Sequence, residues 1–398
     1  MNENPEVDIA IVGGGLAGLC LAIQAADKGY SVVLFEKETY PYHKVCGEYI
    51  SLESWDFLSR LGLSLIDMKL PVINKLEVSS VNGQLFSHQL PLGGFGISRY
   101  LIDASLAEIA RRKGVLIYTK TKVADILTDE KSKSESSTHP LFTIAIQSNS
   151  DSNSNKIPPI WKAKVAIGSY GKRSNIDVQW KRKFVQEKPN KLNNYIGVKY
   201  HIRYNHPAET IALHNFKNGY CGMSKIEDDK SCLCYLTTAQ NLKDNNNSIK
   251  LMEQQVLYEN PFLRTVFKEA EFLFNQPITI SQISFQKKPS VENHVLMVGD
   301  SAGSITPLCG NGISMAMHAS KLAVEQIDLF LQNKITREAM ETSYQLAWGK
   351  QFATRLSAGR VIQSMFGSNI TSNLLVGAMK LFPFLAAPLI KTTHGKPF

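Results

Sequence analysis

The sequence predicts an α/β fold: a parallel nucleotide-binding domain, a smaller antiparallel β-sheet domain inserted into it, and a helical C-terminal region. Three observations support this prediction. Residues 7–12 form an apolar strand that enters a glycine-rich turn and then a helix. Residues 193–236 alternate apolar and polar side chains, as half-buried antiparallel strands do. A second apolar strand, at 294–298, again leads through glycines into a helix.

The opening segment contains each part of a βαβ dinucleotide-binding unit. Gly13 permits the tight turn out of the first strand, Gly15 lets the backbone approach a pyrophosphate, and Gly18 lets the helix pack closely on the sheet. The helix N-terminus offers free N–H groups and a positive dipole end to the phosphates. Glu36 ends the second strand of this βαβ unit, which begins at Ser31, and a carboxylate there accepts hydrogen bonds from ribose hydroxyls. The segment therefore predicts a dinucleotide cofactor.

Composition indicates a globular chain that is long enough for two domains. Of its 398 residues, 43% are hydrophobic and 20% are charged. Its net charge of +9 comes from dispersed basic residues with one cluster at 181–183, and no basic patch is interleaved with aromatic residues. The sequence therefore predicts a solvated basic surface and no nucleic-acid partner.

The cysteines and the lack of a signal-peptide pattern at the start indicate a cytoplasmic protein. The six cysteines are scattered at positions 20, 46, 221, 232, 234 and 309. Cys232 and Cys234 share one face of a predicted strand, but no second Cys or His pair follows at ligand spacing. We therefore predict neither a disulfide framework nor a metal site.

Changes in pattern along the chain predict the domain boundaries. An Asn-Gly turn at 82–83 predicts a hairpin, and the polar stretch 128–160 predicts a β-hairpin excursion. The nucleotide-binding domain is predicted over 1–74, 99–180 and 285–345, the substrate-binding sheet domain over 75–98 and 181–284, and the helical region over 346–398.

The C-terminal tail is strongly apolar over 374–390, but Lys380, Pro383 and Pro388 interrupt it. It is too short and too broken for a membrane-spanning helix. Three interpretations stay open: a cover over an apolar substrate pocket, a peripheral contact with a membrane surface, or an ordinary packed element.

The late strand–glycine–helix segment has the residues of a second cofactor motif. Asp300 follows Gly299 at a strand end, where a carboxylate can fix a ribose or ribityl hydroxyl. The loop at 310–312 lets a flat ring lie against backbone, and the helix that starts near Ile313 would stabilise negative charge on that ring.

These motifs, with a third at 168–174, resemble the FAD-dependent monooxygenase superfamily that includes p-hydroxybenzoate hydroxylase and the geranylgeranyl reductases. Their order and spacing match over nearly the whole chain. The resemblance implies FAD as the cofactor. It also implies a glutathione-reductase-type Rossmann FAD domain with an antiparallel β-sheet substrate domain inserted in pieces.

The resemblance also implies which residues contact FAD. These are Gly13, Gly15, Leu16, Ala17, Gly18, Glu36, Lys37, Lys44, Cys46, Arg99, Asp300, Pro307, Gly310, Asn311, Gly312 and Ile313. Arg99 lies where the family places an arginine close to the FAD. The alternative for Arg99 is a solvent-exposed arginine at a helix start.

One local segment narrows the branch of the family. Residues 41–48 resemble the Pro-x-x-Lys-x-Cys-Gly segment of geranylgeranyl reductases and of related hydroxylases from polyketide and phenolic-lipid pathways. In those relatives it runs beside the flavin, so Cys46 is a candidate catalytic residue. The alternative for Cys46 is a small buried hydrophobic residue.

The middle motif departs from the family. Tyr170 stands where the family usually has aspartate, in a motif tied to both FAD and NAD(P)H contacts. The chain also has no second glycine fingerprint for a separate NAD(P)H domain. NADH or NADPH is still an expected donor, but conventional contacts with it are not predicted.

The favoured activity is hydroxylation of an apolar phenolic, polyketide or lipid-like substrate, in which reduced FAD and O₂ form a C4a-hydroperoxide. His214 and Tyr220 are candidate pocket residues, each with a structural role as the alternative. The rival activity is a geranylgeranyl reductase-type saturation of isoprenoid C=C bonds. Halogenation is disfavoured because the Trp-x-Trp-x-Ile-Pro signature is absent. A non-catalytic FAD-binding protein is the alternative outside enzymes.

Overall fold

A computed structural model describes residues 4–129, 139, 141–147, 157–188, 190, 193–306, 310–393 and 395–398. Its strands are β1 (Glu6–Val12), β2 (Val32–Phe35), β3 (Tyr49–Ser51), β4 (Val72–Ser79), β5 (Leu85–Gly96), β6 (Leu116–Tyr118), β7 (Val123–Thr128), β8 (Phe142–Ile146), β9 (Ile160–Gly168), β10 (Asn193–Arg203), β11 (Thr210–Phe216), β12 (Gly219–Lys225), β13 (Ser231–Thr238), β14 (Glu271–Phe272), β15 (Ile278–Ser284), β16 (Val291–Glu292) and β17 (Val295–Met297). Its α-helices are α1 (Leu16–Asp27), α2 (Trp55–Arg60), α3 (Arg99–Arg112), α4 (Asn175–Gln179), α5 (Lys183–Gln186), α6 (Ala239–Asp244), α7 (Ile249–Gln255), α8 (Pro261–Glu269), α9 (Gly312–Leu331), α10 (Arg337–Met365), α11 (Asn369–Leu381) and α12 (Ala386–Thr393).

The first sheet carries the nucleotide-binding unit. Its central strands run in the order β17-β9-β1-β2-β6, and these neighbours pair in parallel. The central strand β1 is apolar and almost fully buried because α1 covers one face of the sheet and a second apolar cluster covers the other. The carboxyl ends of β1, β9 and β17 therefore lie side by side at one edge, where ligands bind in such sheets.

The second sheet has the order β14-β10-β13-β12-β11-β4-β5-β3, with β15 also paired to β10. Its pairs are antiparallel except for β11 with β4, which run in parallel. The predicted hairpin at 82–83 is confirmed by the antiparallel pairing of β4 with β5. The β-hairpin that the sequence predicts within 128–160 is confirmed for its described residues, where β8 pairs with β7 and β9. The remainder of that polar stretch lies outside the described residues.

The C-terminal helices close one side of the second sheet. Val376 and Met379 of α11 pack with Tyr220 of β12 in an apolar cluster that also holds Ile362 of α10. None of the described helices combines the length and the apolar character that a membrane-spanning helix needs. The predicted fold class and helical C-terminal region are confirmed, and the exact domain boundaries stay a prediction.

Candidate functional site

The glycine turn after β1 is shaped by backbone contacts that exclude side chains. Gly13 has φ +104°, and a Cβ there would lie 2.5 Å from the Ser169 carbonyl oxygen. A Cβ on Gly18 would lie 2.3 Å from the Gly13 carbonyl oxygen. Both distances are far below van der Waals contact, so α1 can approach β1 and β9 only if these positions are glycine.

Gly15 is different, because the space beside it is open and lined by cations. A Cβ on Gly15 would meet only Arg99 Nη2 and Lys44 Nζ, both at 3.8 Å. Gly15 is the N-cap of α1, with no side-chain cap and no acidic residue in the first turn. Two positive side chains and the free N–H groups of a helix N-terminus thus face one point, an arrangement that fits a diphosphate.

Asp103 holds both cations in place. Its carboxylate accepts hydrogen bonds from Arg99 Nε and Nη2, at 2.8 and 2.7 Å, and from Lys44 Nζ at 3.0 Å. Burial alone would raise the pKa of Asp103, but Arg99 and Lys44 outweigh it and hold that pKa below its usual value. Burial opposes the charge on Arg99, yet Asp103 raises the pKa of the guanidinium. Arg99 is therefore not the exposed arginine of the alternative interpretation.

Glu36 reaches back from the end of β2 to the glycine turn. Its side chain is buried and accepts hydrogen bonds from the backbone N–H of Gly14 at 2.8 Å and of Glu38 at 3.0 Å. Tyr40 donates to the Gly14 carbonyl oxygen at 2.5 Å, a contact that the sequence did not indicate. Lys37 lies apart from this group: its side chain is 70% exposed beside Glu38.

The late motif meets the early one at the same edge. A Cβ on Gly299, where φ is +64°, would lie 3.1 Å from Cβ of Ala17 in the first turn of α1. Asp300 lies 3.5 Å from Lys172 Nζ. Lys288, which is buried, donates to the carbonyl oxygens of Lys172 at 2.8 Å and Asp300 at 2.9 Å. Its burial lowers its pKa to about 8, although Asp300 acts in the opposite direction.

The loop that leads into α9 touches the segment after Cys46. A Cβ on Gly310, where φ is +66°, would lie 3.0 Å from the ring of Tyr49 in β3. Asn311 is fully buried, Gly312 begins α9, and Ile313 is nearly buried. Pro307, which was also expected near the flavin ring, lies outside the described residues.

A buried charge cluster lies directly after Cys46 and was missed by sequence reasoning. Glu48 pairs with Lys199 Nζ at 2.5 Å and with His201 Nε2 at 2.6 Å, and it also accepts from the Arg99 backbone N–H at 2.7 Å. Glu48 and Lys199 are fully buried, and His201 is nearly so. Glu48 adopts φ +58°, an uncommon conformation for a residue with a side chain. We refer to Glu48, Lys199 and His201 as the Glu48 cluster.

The Glu48 cluster fixes the position of the Cys46 segment. Lys199 Nζ also donates to the Lys44 carbonyl oxygen at 3.2 Å, and the thiol of Cys232 donates to the Cys46 carbonyl oxygen at 3.2 Å. Burial alone would raise the pKa of Glu48, but Lys199 and His201 hold it below its usual value. Cys46 itself is partly buried, so both interpretations of this thiol stay open.

His214 and Tyr220 lie in the second sheet in structural surroundings. His214 Nδ1 is 2.8 Å from Ser79 Oγ, which also accepts from Asn260 at 2.8 Å, and its ring stacks on Phe262. Burial lowers the pKa of His214 to about 4. Tyr220 is buried in the apolar cluster under the C-terminal helices. The structure does not bring either residue to the glycine turn.

Comparison with known proteins gives independent evidence about the cofactor and about the relatives of this chain. Residues 8–43 match the model of the "FAD binding domain" family, which confirms the predicted cofactor. "Conditioned medium factor receptor 1" of Dictyostelium discoideum is 26% identical over 88% of this chain and 69% of its own length. "Digeranylgeranylglycerophospholipid reductase 1" of Methanococcoides burtonii is 23% identical over 91% of this chain and 84% of its own.

The structure also resembles solved flavoenzymes. The flavin-dependent brominase Bmp2 superposes with a TM-score of 0.75 at 19% identity, covering 98% of this chain and 93% of the brominase. This chain has the fold of the FAD-dependent oxidoreductases. That fold is shared by monooxygenases, halogenases and geranylgeranyl reductase-like proteins. The predicted family resemblance, fold and enzyme class are thereby confirmed.

Proposed function

We propose that this FAD-dependent oxidoreductase acts on a long, apolar, lipid-like substrate and that its reaction is the reduction of a C=C bond. The main observation in support of bound FAD is that Lys44 and Arg99 converge on the open N-terminus of α1 at Gly15. The support for the reaction is the likeness, over 91% of this chain, to a digeranylgeranylglycerophospholipid reductase.

The residues present fit FAD at both ends of the site. Lys44, Arg99 and the N–H groups after Gly15 would hold the diphosphate, and Glu36 the ribose next to it. Asp300 and the loop at 310–312 would hold the ribityl chain and the ring. Bound FAD would supply two-electron redox chemistry, which no side chain provides. The role of the protein's own residues is to orient the substrate, exclude water and supply a proton.

Reduction of a C=C bond adds a hydride to one carbon and a proton to the other. We propose the thiol of Cys46 as the proton donor, because it lies in the segment that links Arg99 to the loop at 310–312. The Glu48 cluster holds that segment through the Lys44 and Glu48 backbone.

The test combines the mass of the product with the state of the cofactor. The purified protein is loaded with FAD, reduced with dithionite without oxygen, and given a phospholipid that carries geranylgeranyl chains. We expect a mass gain of two hydrogens for each saturated bond. Cys46→Ala should keep the flavin absorbance and lose turnover, whereas Cys20→Ala, which also removes a cysteine thiol, should turn over like the wild type. No mass change with a range of isoprenoid lipids would contradict the proposal.

Hydroxylation is the second candidate function. It was favoured by the sequence, and a probable FAD-dependent monooxygenase, pqsL from Pseudomonas aeruginosa, has the same fold with a TM-score of 0.69. The same assay separates the two activities. When oxygen is admitted to the reduced protein with a phenolic lipid or polyketide, a product heavier by one oxygen atom supports hydroxylation and contradicts reduction.

A further inference from the structure

The C-terminal region has an unusual balance of charge. Residues 346–398 contain no aspartate or glutamate. Over the same range the basic residues are Lys350, Arg355, Arg360, Lys380, Lys391 and Lys396. Arg355 is buried and pairs with Glu53 of another segment, whereas Lys350, Lys380 and Lys396 are exposed. A protein surface normally mixes charges of both signs, so exposed lysines in an acid-free segment favour a negatively charged partner.

Helix α11 presents apolar side chains on both of its faces. Val376 and Met379 face the core, where they are 0% and 6% exposed. On the outer side Leu374 is 71% exposed and Leu381 is 76% exposed. An amphipathic helix on a protein surface normally places polar residues there. The outer face of α11 therefore lacks a partner within the described part of the chain.

The apolar surface continues past the end of α11. Phe382 is 51% exposed and Phe384 is 69% exposed, and their rings contact each other with centroids 6.0 Å apart. Lys380, also exposed, lies beside them in sequence. We define Leu374, Lys380, Leu381, Phe382 and Phe384 as the tail face.

We propose that the tail face docks on the surface of an anionic phospholipid bilayer. Leucine and phenylalanine side chains would enter the boundary between headgroups and acyl chains, while Lys380 lies against anionic headgroups. The helices lie on the surface and do not cross the bilayer: α11 and α12 are short, and Pro383 separates them.

Charge complementarity selects this partner over a second copy of the chain. Self-association through the tail face would bring the exposed Lys380 side chains of two copies together with no acidic residue of the tail face to compensate them, and like charges at close range oppose contact. An anionic membrane removes that repulsion and covers the same leucine and phenylalanine side chains. This inference does not depend on which reaction the site performs.

The position of the tail face also bears on substrate access. The inner side of α11 belongs to the apolar cluster that contains Tyr220, so a single helix separates that cluster from the tail face. If the substrate is a lipid, as the proposed function states, docking would bring the protein to the membrane that holds it. The docking itself is tested without any substrate.

The test is sedimentation of the full chain with vesicles of phosphatidylcholine, with and without phosphatidylglycerol. We expect binding that requires phosphatidylglycerol and weakens in high salt. The double variant Leu381→Ser/Phe384→Ser should bind at least about tenfold more weakly, because each side chain contributes buried apolar area. Lys380→Glu should weaken binding to the anionic vesicles.

Leu127→Ser is the matched control, because Leu127 is an exposed apolar residue, 50% exposed, on strand β7. It should bind vesicles like the wild type. Circular dichroism checks that every variant is folded. Equal binding by the double variant and the wild type would overturn the proposal, and so would absence of binding to anionic vesicles. Concentration-dependent dimers lost in the double variant, without vesicle binding, would assign the tail face to self-association instead.

Discussion

At the scale of single residues, Glu48 is a fully buried carboxylate close to the site. Its two carboxylate oxygens contact Lys199 Nζ and His201 Nε2, and all three side chains are buried. Removing one partner of a buried ion pair leaves the other charge without compensation. We predict that Glu48→Gln lowers the free energy of unfolding by about 3–5 kcal/mol. Urea unfolding followed by circular dichroism measures this loss.

A matched control is available in the exposed pair between Arg203 and Glu271, whose side chains are 58% and 63% exposed. Glu271→Gln should change the free energy of unfolding by less than about 1 kcal/mol. If Glu48→Gln and Glu271→Gln had equal effects, the Glu48 cluster would not hold the Cys46 segment as we describe.

Two glycines of the same turn should respond differently to alanine. Gly18→Ala forces a methyl group against the Gly13 carbonyl, so we predict a loss of about 1–3 kcal/mol in the free energy of unfolding. The methyl group of Gly15→Ala would meet only the flexible ends of Arg99 and Lys44. The free energy of unfolding of the apoprotein should therefore fall by less than about 1 kcal/mol. FAD should nevertheless bind it at least about tenfold more weakly, because the methyl group occupies the diphosphate position.

Flavin fluorescence gives the dissociation constant of FAD for both glycine variants, and urea unfolding gives their stability. The opposite pattern, with Gly15→Ala unstable and its FAD affinity unchanged, would remove the diphosphate from this position.

Residues close in sequence were predictable, and residues brought together by the fold were not. Gly13, Gly18 and Glu36 belong to one local motif, so their geometry follows from the spacing alone. Lys199 and His201 lie on β10, 151 and 153 residues along the chain from Glu48, and no local pattern records that pairing. The sequence signal pointed the other way: Lys199 and His201 alternate with apolar residues, as the solvent-facing positions of a half-buried strand do, yet both are buried.

At the scale of elements, helix α3 contains Asp103, whose charge makes the stability of the folded protein depend on pH. The pKa of Asp103 is lowered in the folded protein, so the unfolded chain binds its proton more tightly. This carboxylate therefore stabilises the fold above its unfolded pKa of about 3.9, and that stabilisation is lost as the pH falls through the folded pKa. We predict that the stability difference between wild type and Asp103→Asn is largest near neutral pH and shrinks below about pH 4.

Urea unfolding of the apoprotein at several pH values measures that difference. Glu108→Gln on the same helix is the control, because Glu108 is 60% exposed and only loosely paired with Arg111. Its difference from wild type should stay small at every pH. A difference for Asp103→Asn that did not depend on pH would show that Asp103 is not charged in the folded protein.

The elements themselves were largely predictable because their patterns are local. The spacing of apolar residues predicts helix 100–113, and the helix runs from Arg99 to Arg112. The parallel pairing of β11 with β4 was not predicted, since it joins strands that are far apart in sequence. Pairing partners depend on which faces the whole fold buries, which one strand does not record.

At the scale of the whole molecule, the site depends on two distant segments that share one edge of a sheet. Gly299 packs against Ala17 because β17 and β1 both flank β9. The sequence identified both segments, and the resemblance assigned them to opposite halves of one FAD. The geometry is consistent with that assignment, and fragments of the cofactor can test it.

ADP and riboflavin correspond to the two parts of FAD, with the whole diphosphate on ADP, so they should report on the two segments separately. We predict that Gly15→Ala weakens the binding of ADP and of FAD and leaves riboflavin binding unchanged. Asp300→Ala should weaken riboflavin and FAD and leave ADP unchanged, because Asp300 lies in the late segment. Calorimetric titration of each variant with each ligand measures these affinities. If both variants weakened ADP equally, the two segments would hold the same half, and the arrangement of FAD across the sheet edge would have to be reversed or abandoned.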